Sequence, residues 1–313
     1  MKIHVIVNPK AGRQTVQKTL EQIVGKLVLE GIAGDVRVTR TKGSGDAMEA
    51  AASCAMSDTD LIIGCGGDGT QNEIINGIMR SGSRVPLAIL AAGTSNDFAA
   101  SMHLPETAES FCKMIKDGCY RPIDIGLVNG KDYFLNVASF GMFTSVAHTT
   151  DRNAKNNLGR MAYYLKAASN APMQFKQYAK LKITSDGQEL YGEYALCIVG
   201  NSTSIGSFRK LMHKADVSDG LFDVLLLKKP TISPAPSDRK DPPHITDPFR
   251  PALLKYIQTS DISFELQDNK NIEVDLDGEA YGYLPMSIKV CHNAIDLLVP
   301  AEPEDHLSLP LIR

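Results

Sequence analysis

The chain has 313 residues, of which 43% are hydrophobic and 22% charged, a globular balance that excludes disordered and collagen-like chains. Lys plus Arg total 33 against 36 Asp plus Glu, a net charge of −3, so no overall basic excess exists to release counterions from a nucleic acid, and none is expected as a partner. The length exceeds one typical domain of ~100–200 residues and suits two.

The first ~125 residues alternate strand and helix signals. Positions 3–7 are a short apolar run ended by Asn8-Pro9. Over residues 14–30, Val16, Leu20, Ile23, Val24 and Leu27 recur at helical spacing. Val36 and Val38 mark a second strand, and residues 47–56 a helix of small side chains. Leu61-Ile62-Ile63 gives residues 60–64 the look of a buried strand. A helix is predicted over 70–80, with Ile74, Ile75 and Ile78 on its apolar face. A strand at 86–90 and a helix at 110–117, stopped by Gly118, complete the series. Strands separated by helices imply a parallel, doubly wound sheet, an α/β domain.

Beyond residue 125 the pattern changes. Asn129-Gly130 sits between apolar runs at 123–128 and 133–139, and Asp186-Gly187 between runs at 180–184 and 191–199. Both are hairpin signals. Further strands are predicted at 221–227, 262–266, 272–276, 286–290 and 295–299, with a helix at 160–169. An all-β antiparallel sandwich is expected over 126–299. The domains are therefore 1–125 and 126–299, and the closing segment 300–313 is expected to run back over the first. Seven of the 16 prolines lie between positions 230 and 251, which reads as an exposed loop.

The N-terminal apolar run is too brief for a signal peptide. No apolar stretch approaches the ~18 residues of a membrane span. A cytoplasmic protein with at most peripheral membrane contact is expected. The cysteines at 54, 65, 112, 119, 197 and 291 are irregularly spaced, without a Cys-x-x-Cys pair. Reduced thiols are expected, not disulfides or zinc.

The most informative string is Gly64-Cys65-Gly66-Gly67-Asp68-Gly69-Thr70-Gln71-Asn72-Glu73, a strand end, a glycine-dense turn and a helix start. Glycines let a ligand reach bare backbone. Consecutive N–H groups and a helix start favour an anion, so phosphate is the natural ligand. Asp68 would repel phosphate unless Mg²⁺ sits between them. A dinucleotide fingerprint wants an acid at the end of the next strand, and that strand ends in Leu90-Ala91-Ala92-Gly93. A Walker A string is absent. A tight turn without ligand is the remaining alternative. Farther on, Ile272, Val274 and Leu276 alternate as on a strand, so Asp277-Gly278 marks its turn and Glu279 lies just beyond. Read alone, Glu279 is an ordinary hairpin acid.

Gly66-Gly67-Asp68-Gly69-Thr70-x-Asn72-Glu73 resembles the signature of the diacylglycerol kinase catalytic family, which includes bacterial soluble lipid kinases and sphingosine kinases. Its Gly-Gly-Asp-Gly-Thr core is shared with NAD kinases. Asn8-Pro9-Lys10-Ala11-Gly12, the segment opening at Thr41, Gly93-Thr94-Ser95-Asn96-Asp97-Phe98-Ala99 and Asp277-Gly278-Glu279 are similar to further motifs of that family. The resemblance implies a nucleotide domain and a β-sandwich domain with the active site in the cleft between them. It implies ATP and Mg²⁺ as cofactors and a lipid acceptor, diacylglycerol foremost, at the inner membrane face. A homodimer is also admitted, since some bacterial members are dimers.

Carried over residue by residue, Asn8, Pro9, Lys10, Ala11, Gly12, Thr41 and Thr94 border the nucleotide. Gly67, Gly69, Thr70, Gln71, Asn72 and Glu73 belong to the phosphate turn. For Asn72-Glu73, capping at the helix start is an equal reading. Asp68 holds the catalytic Mg²⁺, joined by Asp97, and Glu279 is the base. The segment Asp216-Val217-Ser218-Asp219-Gly220-Leu221 resembles one that holds a structural Mg²⁺, with a carboxylate from Asp219 and carbonyls from Asp216 and Leu221; a plain turn is the alternative. The basic cluster Arg209, Lys210, His213, Lys214 reads as a solvated face, with anionic headgroups as its second reading. The expected activity is phosphoryl transfer to a lipid hydroxyl. A kinase of a soluble acceptor is one rival and a non-catalytic nucleotide-binding regulator another, against which the retention of Asp68 and Glu279 speaks.

Overall fold

The computed structural model describes residues 1–11, 14–141, 178–205, 211–229 and 254–301. The expected helix at 160–169, the proline-rich stretch, Gly12, Arg209, Lys210 and positions 302–313 lie outside the described residues. Contacts divide the chain into two units. One is Met1–Ile125 together with the described chain from His292, and the other is Gly126–Cys291.

The first unit opens with β1 (Lys2–Val7), α1 (Gln14–Leu29), β2 (Asp35–Arg40), α2 (Asp46–Ala55), β3 (Leu61–Gly66), α3 (Asp68–Ser81) and β4 (Leu87–Ala91). The strands lie in the order β4-β3-β1-β2, all parallel. Central strands of such a sheet are covered on both faces and read as unbroken apolar runs. Every residue of β3 is accordingly buried. Ile23 and Leu27 of α1 and Ile74, Ile75 and Ile78 of α3 are 0–1% exposed. Each such side chain contributes about 1.5–3 kcal/mol on burial. A short helix, α4 (Asp97–Ser101), follows β4, and α5 (Ala108–Asp117) is capped by Thr107, whose side chain accepts from Ser110 N.

β5 (Cys119–Val128) leads into the second unit. The expected strand at 133–139 is split into β6 (Asp132–Phe134) and β7 (Val137–Gly141), because the backbone at Leu135 and Asn136 is diverted to hydrogen-bond the Asp277 carboxylate. Next come β8 (Ala179–Ser185), β9 (Gln188–Gly200), β10 (Phe222–Lys228), β11 (Leu254–Thr259), β12 (Asp261–Leu266), β13 (Glu273–Leu276) and β14 (Glu279–Tyr283). The two strands predicted at 286–290 and 295–299 are one, β15 (Met286–Val299). Asn129-Gly130, Asp186-Gly187 and Asp277-Gly278 all have paired positive φ, the geometry of two-residue hairpins.

Pairing among the described strands of the second unit is antiparallel. β9 pairs with β8 along its first half and with β7 and β10 along its second, so one strand serves both layers of a sandwich. Between the layers lies one apolar core, where Phe140 of β7 meets Phe264 of β12 edge-on at 5.0 Å.

Within the first unit, the end of β15 runs parallel to β4 at Leu297 and Leu87. Asp124 of β5 is 0% exposed. Its Oδ1 accepts from Asn293 N at 2.7 Å and lies 2.8 Å from His292 Nδ1.

Candidate active site

Strand β3 ends at Gly66 and α3 begins at Asp68, which leaves Gly67 as the sole linking residue. Asp68 is therefore the first helical residue. The N–H groups of that turn have no intrahelical acceptors. The backbone opposite is bare as well. A Cβ on Gly93 would fall 2.7 Å from Gly67 Cα, and one on Gly67 would fall 3.2 Å from Gly93 Cα. A side chain on Gly93 is excluded by contact, and one on Gly67 would need the facing backbone to shift.

Asn96 locks this second segment, in a left-handed conformation at φ 49°. Its Oδ1 accepts from Gly93 N at 2.8 Å and its Nδ2 donates to Gly93 O at 3.1 Å. Its own N–H donates to Asp68 Oδ2 at 3.1 Å. A small concavity results, lined by Gly66, Gly67, Asp68, Asn96 and Phe98 among others. Thr94 is exposed and Asp97 half-buried beside it. Asn96 was missed by sequence reasoning, although it stands inside the Gly-Thr-Ser-Asn-Asp string.

The loop after β1 is moored to the same helix. Asn8 Nδ2 donates to Thr70 Oγ1 at 3.1 Å, and Asn8 Oδ1 accepts from Lys10 N at 3.0 Å. Pro9 and Lys10 are exposed and Ala11 half-buried. Lys10 Nζ reaches Lys42 O at 3.5 Å, and buried Thr41 donates its N–H to Val7 O. Asn8–Ala11, Thr41, Gly67–Thr70, Thr94 and Asp97 thus all gather at the carboxyl ends of β1, β2, β3 and β4, where open parallel sheets take their ligands.

Three residues of the motif are turned elsewhere. Gln71 is 3% exposed, and its amide donates to Gly64 O at 3.0 Å inside the unit. The Asn72 side-chain oxygen accepts from Asn76 Nδ2 at 3.1 Å. Glu73 Oε1 accepts from Gly45 N at 2.8 Å and Ser44 Oγ at 3.2 Å, and Oε2 from Ala47 N at 3.1 Å. These are helix-capping and packing roles. The helical period after Thr70 carries successive side chains around α3, so a contiguous motif cannot all face one ligand.

In the second unit Glu279 is exposed at the start of β14, directly after the Asp277-Gly278 turn. Asp277 is 9% exposed. It accepts three backbone N–H groups, from Leu135 at 2.7 Å, Asn136 at 2.8 Å and Val137 at 2.9 Å. Asp275 Oδ1 accepts from Gly278 N at 2.8 Å and braces the same turn. Buried Asn136 is held in turn by Ser202 Oγ and the Ser204 carbonyl. Asp277 is therefore a tether for the hairpin that carries Glu279.

In the 216–221 loop, Asp216 Oδ1 accepts from Ser218 N and Oγ, and Asp219 Oδ1 from Leu221 N at 2.9 Å. Asp223, 1% exposed, keeps one buried carboxylate oxygen with no partner among the described residues. Burial raises its pKa, with Asp219 adding like charge. An orphaned buried oxygen two residues past Leu221 fits a hard cation in this loop. No cluster of three His, Cys, Asp or Glu able to hold a metal occurs among the described residues.

None of the six cysteines is in a disulfide. Burial pushes the Cys65 thiol up to about 12 and the Cys54 thiol to about 11. No helix among the described residues is long and apolar enough to cross a membrane.

Comparison with known proteins fixes the class. Residues 2–128 match the diacylglycerol kinase catalytic domain, and residues 136–299 match the YegS C-terminal NAD kinase beta sandwich-like domain. The molecule is a kinase. It belongs to the diacylglycerol kinase catalytic family. It is 32% identical over 308 residues to a diacylglycerol kinase of Bacillus subtilis (strain 168), covering 97% of this chain and 98% of the relative. It is 30% identical over 303 residues to one of Staphylococcus haemolyticus, covering 95% and 88%. A diacylglycerol kinase crystal structure from Bacillus anthracis str. Sterne matches with a TM-score of 0.72 at 28% identity, over 96% of this chain and 97% of that one.

Proposed function

We propose that this kinase transfers the γ-phosphoryl group of ATP to the hydroxyl of a membrane lipid, diacylglycerol foremost, and releases ADP and a phosphatidic acid. The observation that carries the reading is the bare backbone where Gly67 faces Gly93 at the start of α3. Phosphate oxygens approach such backbone and the positive end of a helix. The acceptor assignment rests on relatives named diacylglycerol kinase that match along nearly the whole chain, acceptor unit included.

Phosphoryl transfer requires alignment, charge neutralisation and a proton acceptor. The N–H groups of Gly67, Gly69 and Thr70 receive the phosphates, and Asn8–Ala11, Thr41 and Thr94 border the nucleotide. Asp68, with Asp97, would hold Mg²⁺, which when bound neutralises charge on the β- and γ-phosphate oxygens. Glu279 takes the proton from the lipid hydroxyl. The hydroxyl oxygen bonds to the γ-phosphorus as the bond to the bridging oxygen of ADP breaks. Asp219, with the carbonyls of Asp216 and Leu221, would hold a second, structural Mg²⁺. Contact with the membrane is peripheral, from the cytoplasmic side.

The test is label transfer from ATP, with Mg²⁺, to a panel of diacylglycerol micelles, phosphatidylglycerol, sphingosine, glycerol and NAD. Diacylglycerol is expected to take the label, and chelation of the metal to stop it. Incorporation into NAD alone would overturn the lipid reading.

A further inference from the structure

Helix α2 begins without a cap of its own. Its N-cap residue is Gly45, left-handed at φ 88°, which has no side chain to offer its first amides. Such amides need an acceptor. The acceptor comes from another helix. Glu73 of α3 takes Gly45 N and Ser44 Oγ on one oxygen and Ala47 N on the other. Its negative charge also faces the positive end of the α2 dipole.

Glu73 reaches that far because the two helices touch closely at Gly77. A Cβ there would lie 2.3 Å from Met48 O and 2.8 Å from the Ala51 Cβ. Gly77 stands one helical turn after Glu73, on the same face. The loop thus gripped runs from Thr41 to Gly45. Its start is held by Asp46 Oδ2, which accepts from Lys42 N at 2.7 Å and Gly43 N at 3.1 Å. Its end, at Ser44 and Gly45, is held by Glu73.

We propose that Glu73 is a positioning residue: across the Gly77 contact it fixes the Thr41–Gly45 loop against the helix that starts the phosphate turn, and so sets the nucleotide's placement without touching it. The inference rests on the reading above that Thr41 borders the nucleotide. Glu73 ties the loop end at Gly45 to helix α3, 28 positions further along the chain.

Two readouts separate this inference from that reading. Hydrogen exchange at residues 42–47 is measured in the wild type, in Glu73→Ala and in Glu73→Gln, and steady-state kinetics in the same proteins. Glu73→Ala is expected to lose protection at 42–47 and to raise the KM for ATP about tenfold, near 1.4 kcal/mol, with kcat within about threefold. Glu73→Gln keeps one acceptor oxygen and is expected to fall between. Retained protection in Glu73→Ala overturns the grip itself. Lost protection with an unchanged KM overturns the link from the loop to the nucleotide and leaves the proposed function standing. A lower melting temperature alone, without either change, makes Glu73 merely structural and ends the proposal. Should Glu73→Ala fail to fold, Gly77→Ala, which forces the helices apart, is expected to give the same raised KM, and a normal KM there is the adverse result.

Discussion

In the first unit Asp68 stands where side chains have been stripped away: Gly93 lies so close to Gly67 that it could not carry a Cβ. In the second unit Glu279 rides on a hairpin tied down by a buried carboxylate that takes three backbone N–H groups. One acid stands beside bare backbone, the other above a polar anchor. The contrast follows from the tasks assigned to them. A group that receives a polyanion needs open backbone and unspent N–H donors. A proton acceptor needs only a fixed carboxylate, and a clamp on its turn supplies that.

The strongest way to break the comparison is at Asp68. Asp68→Ala is expected to lower kcat by about three orders of magnitude, roughly 4 kcal/mol, with the far-ultraviolet circular dichroism unchanged. Near-normal turnover would remove the metal assignment. Glu279→Gln is expected to lower kcat about a hundredfold at an unaltered KM for ATP, because only the proton acceptor changes; unchanged kcat would discharge it as the base.

The anchor beneath Glu279 sharpens the contrast. Asp277→Ala leaves three backbone donors without their acceptor and is expected to lower the unfolding free energy by about 3 kcal/mol, read as a shift of the urea midpoint. A wild-type midpoint would mean that water replaces the clamp. The smallest effect concerns Asp46. The N–H groups of Lys42 and Gly43 hold its carboxyl below the usual carboxylate range. A depressed folded value means that the contribution is present at neutral pH and is lost as pH falls through it. Protection of the Lys42 and Gly43 amides, corrected for intrinsic exchange, is expected to persist at neutral pH and to fade in strong acid.

Much of this architecture is legible in the sequence because it is local. Apolar periods mark the parallel strands and their helices, and the pairs Asn129-Gly130, Asp186-Gly187 and Asp277-Gly278 announce their turns through left-handed residues. The break at Leu135-Asn136 was invisible, since the carboxylate that causes it lies some 140 positions away. Likewise nothing near Asp124 signals His292, 168 positions on. Strand β11 was missed where Lys255-Tyr256-Ile257 follows the proline-rich stretch. At the site, Asp68 and its glycines declare themselves by composition. Gln71 reads as ligand-facing only because a string of letters hides the rotation of a helix, and for Glu73, where capping is an equal reading, the sequence does not show that the capped helix is α2.

Strand β15 has a consequence for biosynthesis. It contributes the partner of Leu87 on β4 from position 297, after the whole sandwich has been translated. Until the ribosome has delivered it, β4 presents a bare row of amides and carbonyls to whatever strand drifts past. A nascent or truncated chain that stops short of β15 is thus a template for mispairing, and the first unit cannot finish its sheet from its own first 125 residues.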